Sequence, residues 1–130
     1  MRMITFSNRF TPSTPLFQSL NILPVFAVNF FQICIFVYQC LNKLLPIRFA
    51  SLFELNSEIH HYNTWSANNL HSTLFRLTFS QFSIRFRGPH FWNKLPTTIR
   101  DSSSANVFKK HLSQYLLAQL SNPDSKNIFS

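Results

Sequence analysis

Residues 83–100 read SIRFRGPHFWNKLPTTIR, and the fold class turns on whether this run is strand, turn or helix. Phe82, Ile84 and Phe86 alternate with Ser83, Arg85 and Arg87, the period of two expected of a half-buried strand. The preceding LFRLTF, 74–79, supplies an antiparallel mate, so a β-hairpin is predicted at the centre of the chain. Gly88, the single glycine, stands directly before Pro89. The pair is expected to stop the strand, because proline has no amide to donate to a ladder and glycine frees the backbone to turn. Trp92 and Leu95 then fall on one helical turn that ends before Pro96, anchoring a strand-to-helix joint in the core.

On the C-terminal side, Ser102 to Ser104 offer caps for a final amphipathic helix. Val107, Phe108, Leu112, Tyr115 and Leu116 line its apolar face, with Lys109, Lys110, Ser113 and Gln114 turned away. Residues 121–130 (SNPDSKNIFS) are expected to be a disordered tail, leaving 1–120 as one small domain. On the N-terminal side, Thr14 and Pro15 predict a capped short helix through Leu20.

The most apolar run is ILPVFAVNFFQICIFVYQCLNKLLP, residues 22–46. Its stretch from Ile22 to Leu41, about 20 residues, is long enough to span a bilayer. Asn29, Gln32, Gln39 and Lys43 nevertheless share roughly one quadrant of a helix, interrupted by Phe36. A narrow polar stripe suits a helix nearly enclosed by protein with one side wet; a single membrane span over 22–41 stays open as the alternative. Pro46 restarts the chain as a short helix to about Glu54, followed by a polar loop in which Glu54 and Glu58 act as solvated caps. His60 and His61 are adjacent and diverge, so they do not share a metal.

The chain has 130 residues, with twelve Lys and Arg against four Asp and Glu, a formal charge of +8. Such an excess favours anionic partners, nucleic acid or an acidic membrane surface. Sixteen phenylalanines provide core material, whereas one glycine leaves few residues that tolerate positive φ. Helices and open loops are therefore expected, and the fold class is mainly α (α+β): a small helical domain with one central β-hairpin. Cys34 and Cys40, six apart and on opposite sides of a helix, read as buried reduced thiols. The first twenty residues lack the continuous apolar core of a cleavable signal peptide.

Catalytic chemistry has little to stand on. Asp101 and Asp124 lie in Ser-rich surroundings, no Gly-x-Ser-x-Gly elbow occurs, and four scattered acids do not converge on a pair of metals. One glycine does not make a phosphate-cradling loop. No catalytic residue, metal site or cofactor is expected.

Three stretches carry a family resemblance: RMITFSNRFTPSTPLFQSLNIL (2–23), FVYQCLNKLLPIRFASLFELNSEIHHYNT (36–64) and SIRFRGPHFWNKLPTTIRDSSSANVFKKHLSQYLL (83–117). The sharpest pieces are Tyr62-Asn63-Thr64, Arg87-Gly88-Pro89-x-x-Trp92-Asn93-x-Leu95-Pro96, and Phe108-Lys109-Lys110. Together they resemble the C-terminal end of the reverse-transcriptase open reading frame of non-LTR retrotransposons, the jockey-like long interspersed elements. The resemblance implies a segment that follows the thumb, with the polymerase aspartates and the endonuclease lying upstream. It also implies that Met1 was an internal methionine of a longer frame and that the chain is a truncated, non-catalytic copy. Partners implied are RNA or DNA, bound without sequence preference, and the upstream reverse-transcriptase domains, in the cytoplasm or nucleus. A decayed frame with no maintained function is the further alternative. Trp65 stands where the family has Arg after Tyr-Asn-Thr, a change that removes a charge and weakens a nucleic-acid role for that loop. Arg85, Arg87, Lys94, Arg100, Lys109 and Lys110 remain the candidate nucleic-acid contacts; Gly88, Pro89, Trp92, Leu95, Pro96 and Phe108 are assigned to the scaffold.

Overall fold

The computed structural model describes residues 13–59, 65–73, 76–77 and 83–120. The described chain is mainly helical. Among the described residues seven helices follow in order: α1 Ser13–Ser19, α2 Val25–Leu41, α3 Ile47–Ala50, α4 Asn56–Ile59, α5 Ile84–Lys94, α6 Thr97–Arg100 and α7 Ala105–Gln119. The tail assigned to 121–130 and the Tyr62-Asn63-Thr64 segment lie outside the described residues.

Helix α2 is the axis of the domain, and α5 and α7 pack against it. It buries Ala27, Phe30, Cys34, Val37 and Tyr38, whose spacing of three and four residues makes one continuous face. The wet stripe lies opposite: Asn29 and Gln32 are exposed and Gln39 half-buried, while Lys43 falls beyond the helix end. Phe30 meets Phe91 of α5 with ring centroids 4.6 Å apart, and Tyr38 stacks on Phe108 of α7 at 4.4 Å. The Tyr38 hydroxyl donates to the Ser102 carbonyl at 2.9 Å, so the ring is buried while its polar tip is satisfied. Pro24 immediately precedes α2 and confines the apolar helix to 17 residues. Among the described residues, no helix is long and apolar enough to cross a membrane.

The central hairpin is not supported, and the segment carrying its second strand is helical. Residues 84–87, which alternation assigned to that strand, form the first turn of α5. Most of the proposed mate, 74–79, and Phe82 lie outside the described residues. The helix wins because Ile84, Gly88, Phe91 and Leu95 recur at a spacing of four, three and four, which puts them on one face toward α2. Among the described residues the β-type pairing is one isolated antiparallel bridge, Leu55 with Leu70.

Gly88-Pro89 also has a different role from the expected stop. Pro89 sits inside α5, and Gly88 does not adopt positive φ. A residue before proline is pushed out of the α region partly by its own Cβ; glycine has none, so the helix runs on. The second reason is steric. A Cβ on Gly88 would stand 2.5 Å from Phe53 Cε1 and 3.2 Å from Val37 Cγ2. Glycine therefore lets α5 approach α2 and the Phe53 ring closely. The helix ends at Leu95, extended at ψ 142 before Pro96 and buried.

The segment after Pro46 makes only the four-residue α3, shorter than the helix expected to Glu54. Its continuation is diverted into the bridge: His71 N–H donates to the Glu54 carbonyl at 2.8 Å, and Asn56 N–H to the Asn69 carbonyl at 2.9 Å. The Glu58 carboxylate accepts from Leu55 N–H at 3.2 Å, half of a capping box at the start of α4. At α7, Ser104 is the N-cap, its Oγ accepting from Val107 N–H. Phe108, Leu112 and Leu116 are buried along α7, Tyr115 is half-buried, and Val107 is exposed instead of lining the apolar face.

With one glycine in the chain, other residues close the helices. Asn21 and Lys43 take φ 52 and 56. Each sits in a Schellman-type cap, with Ile22 N–H reaching the Phe17 carbonyl and Leu44 N–H the Gln39 carbonyl, both at 2.9 Å. Asparagine tolerates this region and lysine does so at a cost. Lys43→Gly is accordingly expected to stabilise the domain by about 1 kcal/mol, read as a raised urea midpoint at unchanged slope.

Candidate nucleic-acid interface

The six candidate cations do not form one face. Arg85 and Arg87, assigned to the same side of a strand, are instead about 200° apart around α5. Arg85 is exposed, whereas Arg87 is half-buried and engaged within the fold. Lys94 occupies the last turn of α5, where a cation complements the helix dipole, and partial burial lowers its pKa. Arg100 is half-buried: its Nη1 donates to Asn69 Oδ1 at 3.1 Å, tying α6 to the turn that leads into the bridge. Its Nε is buried without a hydrogen-bond partner. Lys109 and Lys110 are exposed on α7, followed by exposed His111. Open cations among the six are thus Arg85, Lys109 and Lys110; the other three are partly withdrawn into the scaffold.

Sequence reasoning passed over Arg48 and Arg76, both exposed, as is Lys43. It also missed Asn93, whose role is architectural. Asn93 Oδ1 accepts from Leu70 N–H at 2.9 Å and its Nδ2 donates to the Leu70 carbonyl at 3.0 Å. The carboxamide thus pairs with the backbone as a neighbouring strand would, holding the bridge residue Leu70 against α5. The signal for this was the Trp-Asn dipeptide of the motif, but its partner is 23 residues away.

The motif residues divide by packing. Gly88, Pro89, Trp92 and Leu95 are buried, Phe108 is fully enclosed, and Pro96 is exposed at the break between α5 and α6. Trp92 lies 5.8 Å from the Phe108 ring and stands beside a cavity shared with Leu41, Leu55, Thr97, Arg100 and Asp101. Trp65 is fully exposed.

A second cavity, about 180 Å³, opens where the Leu55–Leu70 bridge meets the first turn of α5. Ser51, Leu52, Glu54, His71, Thr73 and Arg85 line it. Among the described residues no three His, Cys, Asp or Glu side chains gather closely enough to hold a metal ion; His60 and His61 lie outside them. No protein-family model, curated protein or solved structure matches the chain.

Proposed function

We propose that the chain is a non-catalytic helical domain of the kind that closes the reverse-transcriptase frame of jockey-like non-LTR retrotransposons, with weak, sequence-indifferent affinity for nucleic acid. The observation that carries this is the use made of the motif behind the resemblance. Gly88 admits the Phe53 ring, Trp92 and Leu95 fill the core, and Asn93 clamps Leu70. A motif absorbed in packing and backbone bonding is that of a scaffold, not of a reacting centre. Lys109, Lys110 and Arg85 are left as exposed cations on a chain of charge +8. Cations on separate helices neutralise phosphates without reading base edges.

Binding to a short oligonucleotide should therefore fall steeply with salt as counterions lose their entropic advantage. The double change Lys109→Gln with Lys110→Gln should lower affinity equally across sequences and flatten the salt slope by about one unit per lost phosphate contact. Fluorescence anisotropy over a salt series is the measurement. An unchanged slope, or a strong preference for one base sequence, would contradict the reading.

A further inference from the structure

We infer that the turn joining α2 to α3, residues 43–49 (KLLPIRF), docks on an anionic membrane surface, with its aliphatic side chains in the interface and its cations at the headgroups. Leu44 is 59% exposed, Ile47 87% and Phe49 40%, an apolar display concentrated in one short turn. Its backbone is fixed. Lys43 turns the chain at φ 56, and Leu44 N–H closes on the Gln39 carbonyl at 2.9 Å. Leu45 folds back onto the core, Phe49 N–H donates to the Pro46 carbonyl at 2.9 Å, and the Phe49 ring meets Phe36 edge-on at 5.9 Å. Little ordering is left to occur on binding. Lys43 and Arg48 are exposed within the same turn, and the first acid of the chain is Glu54. Lys43 holds a backbone conformation that glycine would hold at lower cost, so the turn carries a cation where stability alone would omit it.

Cations interleaved with aliphatic residues select the partner. A bilayer interface sets anionic headgroups over acyl chains within a depth of about 5–10 Å, so Lys and Arg reach the headgroups while apolar neighbours enter below them. A nucleic-acid strand would take the cations but leave Leu44 and Ile47 in water, because bases stack on aromatic faces. A protein interface would bury the aliphatics, yet lysine is depleted from the centres of such interfaces. The other apolar display, Ile22, Val25, Phe26 and Val28 around the start of α2, lacks the second element: residues 13–42 contain no charged side chain. The length of α2, about 25 Å, separates that end from the turn. Attachment by two aliphatic side chains and two cations is peripheral and reversible, and it does not call for a spanning helix.

Flotation of the full chain with phosphatidylcholine vesicles, with and without about 30% phosphatidylserine, tests the turn. Binding should be about tenfold stronger, or more, when phosphatidylserine is present. Leu44→Ser and Ile47→Ser should each weaken it about tenfold, and Arg48→Gln about fivefold. Lys43→Gly should weaken it by about as much as Arg48→Gln while raising the urea midpoint, which separates attachment from stability. These side chains are exposed, so the circular dichroism of each variant should match the parent. The Lys109→Gln, Lys110→Gln variant should keep most of its vesicle binding, and Leu44→Ser and Ile47→Ser their oligonucleotide binding. This inference and the nucleic-acid reading therefore fail separately. Equal binding to the two kinds of vesicle, or binding untouched by Leu44→Ser and Ile47→Ser, would overturn the inference. So would vesicle binding lost only in the Lys109/Lys110 variant, which would assign the attraction to α7. An absence of vesicle binding, with self-association in sedimentation velocity that Ile47→Ser abolishes, would overturn it too and make the turn a contact between copies of the chain.

Discussion

Trp92→Ala is expected to cost the domain about 3–5 kcal/mol, the usual penalty for deleting a buried aromatic ring. The indole is 4% exposed and packs against Phe108, which in turn stacks on Tyr38, so its loss loosens the contact of α5, α7 and α2 together. Small domains hold only about 5–15 kcal/mol in total. The variant should therefore be marginally folded or unfolded at 25 °C, seen as a collapsed urea midpoint by circular dichroism. A variant that keeps its midpoint and loses nucleic-acid binding would make the ring a stacking platform, approached through the cavity it shares with Arg100 and Thr97.

Gly88→Val is expected to be nearly as damaging, at about 3 kcal/mol, although it adds apolar volume and improves helix propensity. Valine gains only a few tenths of a kcal/mol over glycine in a helix. Against this, its Cβ would enter the space of the Phe53 ring and press on Val37 Cγ2, and its own methyls would go further. Overpacking of a dense core costs about 1–3 kcal/mol, with the upper end reached where the neighbour is itself enclosed; Phe53 is 6% exposed and held edge-on by Phe36. The mechanism predicts a specific rescue. In a Phe53→Ala background the same valine should cost little, so a double-mutant cycle in urea should show coupling of about 2 kcal/mol. Additive losses would mean that Gly88 is required for the backbone before Pro89 and not for the ring.

Those two residues also mark the limit of what sequence could convey. A helix within 22–41, observed from Val25, and the buried face of α7 were legible, because their apolar residues recur over several turns and have no strand interpretation. The four residues from Ile84 to Arg87 were not. So short an alternation fits a strand, and the helical spacing through Ile84, Gly88, Phe91 and Leu95 is hidden because glycine carries no hydropathy signal. A helix then rotated Arg87 away from Arg85, and the single basic face dissolved. The pocket around Glu54 and His71 was equally invisible, since it depends on a bridge between segments separated by the loop and on the Asn93 clamp. Pairings of this kind are set by tertiary packing, not by local pattern.

The two cysteines give the molecule a gauge of its own opening. Cys34 lies at the middle of α2 with no solvent exposure, and burial holds its thiol protonated far above the ordinary thiol range; burial raises that of Cys40 as well. Because the thiolate is the species that attacks, an alkylating or disulfide reagent meets Cys34 only when α5 and α7 have parted from α2. Its labelling rate under native conditions, divided by that of an unstructured thiol, measures the fraction of molecules open at any instant. No probe has to be introduced and no denaturant added, so each substitution above can be ranked by a stopwatch on the native chain.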